Sequence, residues 1–321
     1  MAQYRQGGIP HGFPNLPVIQ RSIADLHKRF PGVELLGLQF PSSLSPAIND
    51  AIRVGHPVVA VKNIVGTILR HFHLPAGSIE VRFIDDLQEP ARITRKQGGG
   101  RLVEIRASLM GDLGTIALVA HELAHFFLDT ANLRYRDTFE NEVLTDTAST
   151  YLGAGWSVLN AYKRSVSVSA MWDRFNNRHV TTTTTSESKL GYLTPEEFGY
   201  ILARRCYITR EDLLPWIERV EGKMALAVGV SRFHLELRQP PLAAAGPLRR
   251  LKYKYAVWRA SAGKDNELRV YDYVDFSIEA TSSKRVLFRC PRCTQQLRIP
   301  VGVELAQVTC KNCKDTFRCS S

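Results

Sequence analysis

The chain of 321 residues has no run of eighteen or more apolar residues, which is about what a helix needs to cross a bilayer. Its opening, M-A-Q-Y-R-Q-G-G-I-P, has no apolar core of the kind a secretory leader carries. A cytoplasmic protein that does not engage membranes is the expectation. Gln97-Gly98-Gly99-Gly100 is followed by neither G-x-G-x-x-G nor a Walker pattern, so it reads as a turn, and no nucleotide cofactor is expected. Before residue 290 the only cysteine is Cys206. Acidic residues are outnumbered, 31 Asp and Glu against 42 Lys and Arg, for a formal charge of +11. That balance points towards an acidic partner such as nucleic acid or an anionic surface.

What is present is chemically pointed. The heptapeptide A-H-E-L-A-H-F places His121 and His125 four residues apart, one above the other on one face of a helix, where two imidazoles can hold one metal ion. Glu122 projects beside that pair, within reach of an attacking water without being a ligand. Zinc held by three protein ligands keeps a position open and acts on both water and a carbonyl, and an adjacent carboxylate moves the proton. Asp112 reads as the N-cap of an almost wholly apolar helix from Leu113 to Leu128. Burying two imidazoles and a carboxylate there is costly unless a metal satisfies them.

The next segment offers a third ligand. In N-E-V-L-T-D, Glu142 and Asp146 are again four apart, on a helix capped at Asp137 or Thr138. Glu142 could complete the zinc site, and Asp146 could accept the outer N–H of a zinc histidine and fix its tautomer. H-E-L-A-H followed by N-E-V-L-T-D resembles the gluzincin metallopeptidases, with Thr145 where the thermolysin-like element N-E-x-x-S-D has Ser. The likeness covers about Leu102 to Gly153. Compact peptidases of the ImmA/IrrE kind also place a Glu-bearing helix soon after H-E-x-x-H. The resemblance implies zinc on His121, His125 and Glu142, Glu122 as general base, and Asp146 as the outer partner of a zinc histidine. It also implies a zincin-like α+β domain in which an edge strand beside the metal helix aligns the substrate; Val103 and Ile105 are the candidates for that strand. A donor for the oxyanion is needed, and His179, Tyr192 and Tyr151 are candidates in that order.

Along the chain, Val18–Phe30 and Val58–His73 have helical periodicity, while Ser78–Ile84, Ala91–Thr94 and Arg101–Leu109 read as strands. Tyr151–Lys163 continues the Glu-bearing helix, bent at Gly153 and Gly155. Thr181–Ser188 is low in complexity and reads as a mobile insertion. Thr194, Pro195 and Glu197 form a helix-opening capping box, and a further helix is expected from Arg210 to Val220. Gln239–Pro247 reads as a linker. In L-R-R-L-K-Y-K-Y-A-V-W-R, residues 248–259, cations alternate with aromatics. The pattern suits nucleic-acid stacking, but packing of the aromatics on a neighbour is the preferred reading.

Five cysteines fall within the last thirty-two residues. Cys290-x-x-Cys293 and Cys310-x-x-Cys313, sixteen residues apart, supply four thiolates for a closed, structural zinc. They resemble a zinc ribbon, with Cys319 left over on its last strand. This metal-binding arrangement favours a reducing compartment.

The expected architecture is α+β: a zincin-like metallopeptidase domain over 1–238, a linker and basic, aromatic segment over 239–286, and a zinc ribbon over 287–321. The expected activity is a zinc-dependent endopeptidase with one catalytic and one structural zinc, acting on protein substrates that the ribbon helps recruit. Nucleic acid is a second partner class through the basic C-terminal region. Two alternatives stand beside it. One is a protease of the SprT or Spartan kind, in which a later histidine would ligate the metal. The other is a non-catalytic module binding nucleic acid or a partner protein.

Overall fold

The computed structural model describes residues 5–6, 9–30, 57–75, 79–97, 100–109, 114–173, 178–262, 269–272, 276–280, 284–302 and 306–320. Asp112, the expected cap of the metal helix, lies outside them. The chain divides into two compact units, Met1–Leu16 with Leu35–Gly229, and Pro17–Glu34 with Val230–Ser321. Strand β1 (Arg5–Gln6) belongs to the first unit and nearly all of helix α1 (Leu16–Arg29) to the second. This differs from an expected boundary at 238, because α1 is tied to the C-terminal hairpins by contacts that no local pattern announces.

In the first unit, helix α2 (Pro57–His71) is followed by a three-stranded sheet of β2 (Ile79–Ile84), β3 (Ala91–Arg95) and β4 (Arg101–Arg106). β4 is central, parallel to β2 and antiparallel to β3. Val103 and Ile105 are fully buried, so the expectation that they line a free edge is corrected. β3 is the edge strand that packs against the metal helix, α3 (Gly114–Thr130). The swap follows from composition: the apolar inward residues of R-L-V-E-I-R fit the middle of a sheet, and the polar A-R-I-T-R fits its rim. Arg101 ties β4 to α3, its guanidinium 4.1 Å from the Phe126 ring and 3.1 Å from Asp129.

Helix α4 (Thr138–Ser149) starts at Asp137, whose carboxylate accepts from Glu140 N at 2.8 Å. A widened turn at Thr150–Ala154, with Gly153 at φ 117, then leads into α5 (Gly155–Ala161). Such a break releases backbone carbonyls. Arg205 donates to Tyr151 O at 2.8 Å and His71 to Leu152 O at 2.6 Å. Burial lowers the pKa of His71, which keeps it a neutral donor.

β5 (Lys163–Asp173) and β6 (Arg178–Lys189) form a long antiparallel hairpin, with β1 paired to the end of β6. The threonine run is therefore strand rather than a mobile insertion, since β-branched side chains favour extended backbone. The capping box opens helix α6 (Pro195–Thr209) as expected, Glu197 N donating to Thr194 Oγ1 at 3.1 Å and Thr194 N to Glu197 at 2.9 Å. The helix expected from Arg210 is not formed. Arg210 is left-handed at φ 62, a single 3₁₀ turn spans Leu214–Trp216, and α7 (Val220–Leu237) follows. Pro215 removes an amide, and buried Arg205 holds Glu211 at 2.8 and 3.0 Å, fixing this stretch as a loop.

The second unit is built on α8 (Pro247–Ala262) and an antiparallel meander of β7 (Arg269–Asp272), β8 (Phe276–Ala280), β9 (Arg285–Arg289) and β10 (Gln296–Pro300). Tyr253, Ala256 and Ala260 of the helix bury against Ile278, Val286, Phe288 and Ile299. Within 239–286, expected as a linker and a basic, aromatic segment, the part after the linker supplies α8, β7 and β8 to this unit. A second hairpin, β11 (Ala306–Thr309) with β12 (Thr316–Cys319), completes the unit. Cys319 is wholly buried in the apolar cluster, and burial pushes its thiol up to about 12, which suits a packing residue.

Candidate metal centre

Two helices, α3 and α4, bring His121, His125 and Glu142 together, with their ligand atoms all within 4.8 Å of one another. Glu142 Oε2 stands 3.3 Å from His121 Nε2 and 3.4 Å from His125 Nε2. Zinc bonds of about 2.0–2.1 Å in a tetrahedron require donor separations of about 3.3–3.4 Å. The two imidazoles lie 4.9 Å apart at 87°, each with a nitrogen close to the same Glu142 oxygen. His121 Nε2 is buried and makes no hydrogen bond, which is costly for a polar atom unless a cation takes it. The donor set fits zinc.

The outer nitrogens explain why the inner ones are available. His121 Nδ1 meets Asp146 Oδ1 at 2.8 Å, so Nδ1 carries the proton and Nε2 keeps its lone pair. The Thr145 hydroxyl donates to Asn141 O at 2.9 Å and stands 3.1 Å from His125 Nδ1. Its one proton is spent on the carbonyl, so it accepts from His125. Both histidines are thus held in the tautomer that presents Nε2 to the centre. The role of Thr145 was missed in the sequence, although its place in N-E-V-L-T-D, four residues past Asn141, was the available signal.

Asp146 is also an anchor for a neighbouring loop. Tyr192 N and Leu193 N donate to its Oδ2 at 2.6 and 3.3 Å. Gly191, at φ 79, is pressed against the same carboxylate, and a Cβ there would lie 2.7 Å from Oδ2. The loop lays the Tyr192 ring beside His121, 6.5 Å away at 22°. Phe139 meets the other ring edge at 6.1 Å. Lys189 Nζ holds the loop's far side through Gly191 O at 2.7 Å and Leu193 O at 2.8 Å.

The charges are arranged for a cation. Burial opposes a charged His121, but the Asp146 hydrogen bond and the carboxylates of Asp146, Glu142 and Glu122 raise its pKa to about 10. Burial likewise opposes charge on Glu142, yet the His121 and His125 imidazoles, 3.3 and 3.4 Å away, hold its carboxyl well below the usual range. Without a metal the cluster traps a proton; a divalent ion replaces it. Glu122, next in chain to His121, is buried at 3% exposure.

Of the remaining candidates, His179 lies on β6 opposite Trp172, and its side chain falls outside the described residues. Tyr151 is buried in the widened turn, where its carbonyl serves Arg205.

A second cluster joins Cys290, Cys293, Cys310 and Cys313. Cys290 and Cys313 Sγ are 3.6 Å apart, as are Cys293 and Cys310, close to the sulfur separation of about 3.8 Å in a tetrahedral zinc thiolate site. The two knuckles repeat one turn geometry. Cys290 N donates to Gln295 O at 2.8 Å and Cys310 N to Asp315 O at 2.9 Å, while Thr294 and Lys314 are both left-handed at φ 60. They also dock on one face of α1: Thr294 Oγ1 donates to Gln20 O, and Asn312 Nδ2 to Ala24 O at 3.1 Å. This zinc-ribbon-like pair of hairpins therefore has a helical support that sequence reasoning missed.

No family model matches the chain, and no curated protein or solved structure matches it either. No helix among the described residues is long and apolar enough to cross a membrane.

Proposed function

We propose that the first unit is a zinc-dependent peptidase of the gluzincin kind, with a zincin-like arrangement of sheet and helices. The observation that carries it is the meeting of two tautomer-locked histidines with Glu142 at zinc-like separations, with buried Glu122 next in chain to His121 and near enough to act on its charge. His121, His125 and Glu142 would hold the metal, leaving a coordination position that supplies Lewis-acid activation of water and of a substrate carbonyl.

The chain's own groups do the rest. Glu122 accepts the proton of the attacking water and returns it to the leaving amine. Asp146 keeps His121 oriented and stabilises positive charge on that ring. Tyr192, beside His121, offers the phenolic donor for the oxyanion, with His179 as the other candidate. β3, the sheet edge against the metal helix, presents backbone groups to an extended peptide, which makes a protein the fitting substrate. The cysteine hairpins serve as a structural zinc module.

Glu142 at 3.3 and 3.4 Å from the two histidines favours this over the SprT or Spartan alternative, in which a later histidine is the ligand. Glu122→Gln tests the reading. Hydrolysis of an unfolded protein substrate should fall by roughly a hundredfold or more while metal content, measured by mass spectrometry, stays at the wild-type level. A variant with full activity would remove Glu122 from the mechanism.

A further inference from the structure

Helix α8 leaves one face without cover. Leu248, Leu251, Tyr255 and Trp258 are 76%, 66%, 60% and 63% exposed, and their spacing of three, four and three places them on one stripe. Tyr253, Ala256 and Ala260 bury on the other side, so the helix is already fixed to its core without that stripe. The Tyr255 and Trp258 rings lie 5.8 Å apart at 31°. They form a nearly continuous aromatic surface on the helix.

Around the aromatics the charge has one sign. The helix carries Arg249, Arg250, Lys252, Lys254 and Arg259 and no acidic residue. None of these five forms an ion pair among the described residues. Arg250 is fixed by donating to Ala245 O at 2.9 Å and to Ala243 O. The imbalance extends beyond the helix: residues 247–321 hold fifteen Lys and Arg against seven Asp and Glu, so +8 of the formal +11 lies there.

Beside the aromatics is a cleft of about 390 Å³, lined by Tyr253, Val257 and Trp258 with Arg250 and Lys254, and bounded across by Val301 and Gly302. Its size is that of a small-molecule site, and its mostly apolar lining includes the Tyr253 and Trp258 rings and two cations. We infer that this face of α8 binds single-stranded nucleic acid, with bases on Tyr255 and Trp258 and in the cleft, and phosphates along Lys252, Lys254 and Arg259. A membrane surface would use the stripe but has nothing to fill the cleft. An acidic peptide would use the cations but has no regular supply of planar groups. A single strand repeats an anion and a flat ring at every unit, and unlike a duplex it exposes its base faces.

The test uses the full chain and fluorescence anisotropy with labelled oligo(dT) and oligo(U) of about 20 nucleotides. Further arms are a duplex of the same length, polyglutamate as competitor, and vesicles of phosphatidylcholine with phosphatidylserine. A single strand should bind more tightly than the duplex, and the preference between the two strands assigns DNA or RNA. Tyr255→Ala with Trp258→Ala should weaken binding by about tenfold or more per aromatic. Lys252→Gln with Lys254→Gln should reduce the slope of log affinity against log salt by about 1.4, at about 0.7 per phosphate contact. All four side chains face away from the buried side of the helix, and unchanged circular dichroism and zinc content verify the fold. Equal binding of duplex and single strand that ignores the aromatic substitutions overturns the inference. So does competition by polyglutamate at equal charge, or vesicle binding that needs the aromatics when no oligonucleotide binds.

Discussion

The two metal clusters solve one problem with opposite materials. At the histidine centre the donors sit on two buried helices, and each histidine is oriented by an outer partner, Asp146 or Thr145. Its three donors are one short of a tetrahedron. At the cysteine centre the donors sit in turns, four sulfurs close the tetrahedron, and the hydrogen bonds that matter run along the backbone of each knuckle. A site built on preformed helices keeps its scaffold when the ion leaves. A site built on turns has little but the ion to hold it.

Substitution should separate them most strongly. Cys290→Ser should release the zinc of its centre and leave the β9–β10 and β11–β12 hairpins open to protease. His121→Ala should lose the other ion and leave the hairpins protected. Metal analysis should find two zinc ions per chain in wild type and one in each variant, with limited proteolysis reporting which segment is cut. Equal protease resistance in both variants would show that the packing of α1 and α8, rather than zinc, holds the hairpins.

The uneven legibility of the sequence follows the same division. The cysteine knuckles, the H-E-x-x-H helix, the Asp137 cap and the Thr194 capping box are local, so their spacing was enough to place them. Contacts between distant segments were not readable. Gln20 and Ala24 receive Thr294 and Asn312 through main-chain carbonyls, which leave no mark in composition. The exchange of β3 and β4 as edge and centre depends on pairing order, and a strand's own alternation does not report that order. Residues 248–259 were expected to pack their aromatics, and this holds for one of the three: Tyr253 is buried at 4%, while Tyr255 and Trp258 are exposed. Amphipathic periodicity gives the helix but not which stripe meets the core when both are apolar.

Proton competition should divide the centres next. In the metal-free fold, His121 has its pKa raised from 6.5 to about 10. Its proton therefore contributes stability in full below about pH 6.5, and that contribution is lost as pH rises through about 10. Metal binding must displace this one proton, because Glu142 is already held ionised. Affinity at the histidine centre should climb about tenfold per pH unit between about pH 6 and 8. The cysteine centre must shed more. Hydrogen bonding with Cys293 and then Cys313 pushes Cys290 upward, whereas the hydrogen bond from Cys290 holds Cys313 down to about 2. Cys293, which a hydrogen bond from Cys290 lowers, is driven to about 12 by Cys313 and burial. With at least two protons displaced, its affinity should climb by about a hundredfold or more per unit. Chelator competition at three pH values measures both slopes, and equal slopes would contradict this proton count.

The finest contrast lies within the histidine centre, between its two outer partners. Asp146 is charged, buried and shared among His121, Tyr192 and Leu193. Asp146→Asn can present an amide N–H to His121, reversing its tautomer and turning the protonated nitrogen towards the metal. Zinc affinity should fall by about 10- to 100-fold. Thr145 is neutral and orients one histidine, His125, whose ring is less buried than that of His121, at 22% against 5% exposure. Thr145→Val keeps the shape and removes the acceptor for His125 together with the bond to Asn141 O; water can replace the acceptor, and the loss should be smaller than for Asp146→Asn. Thr145→Ser restores the acceptor and should restore affinity. If Thr145→Val costs as much as Asp146→Asn, tautomer control at the exposed histidine is as strict as at the buried one, and burial is not what sets the strength of an outer partner here.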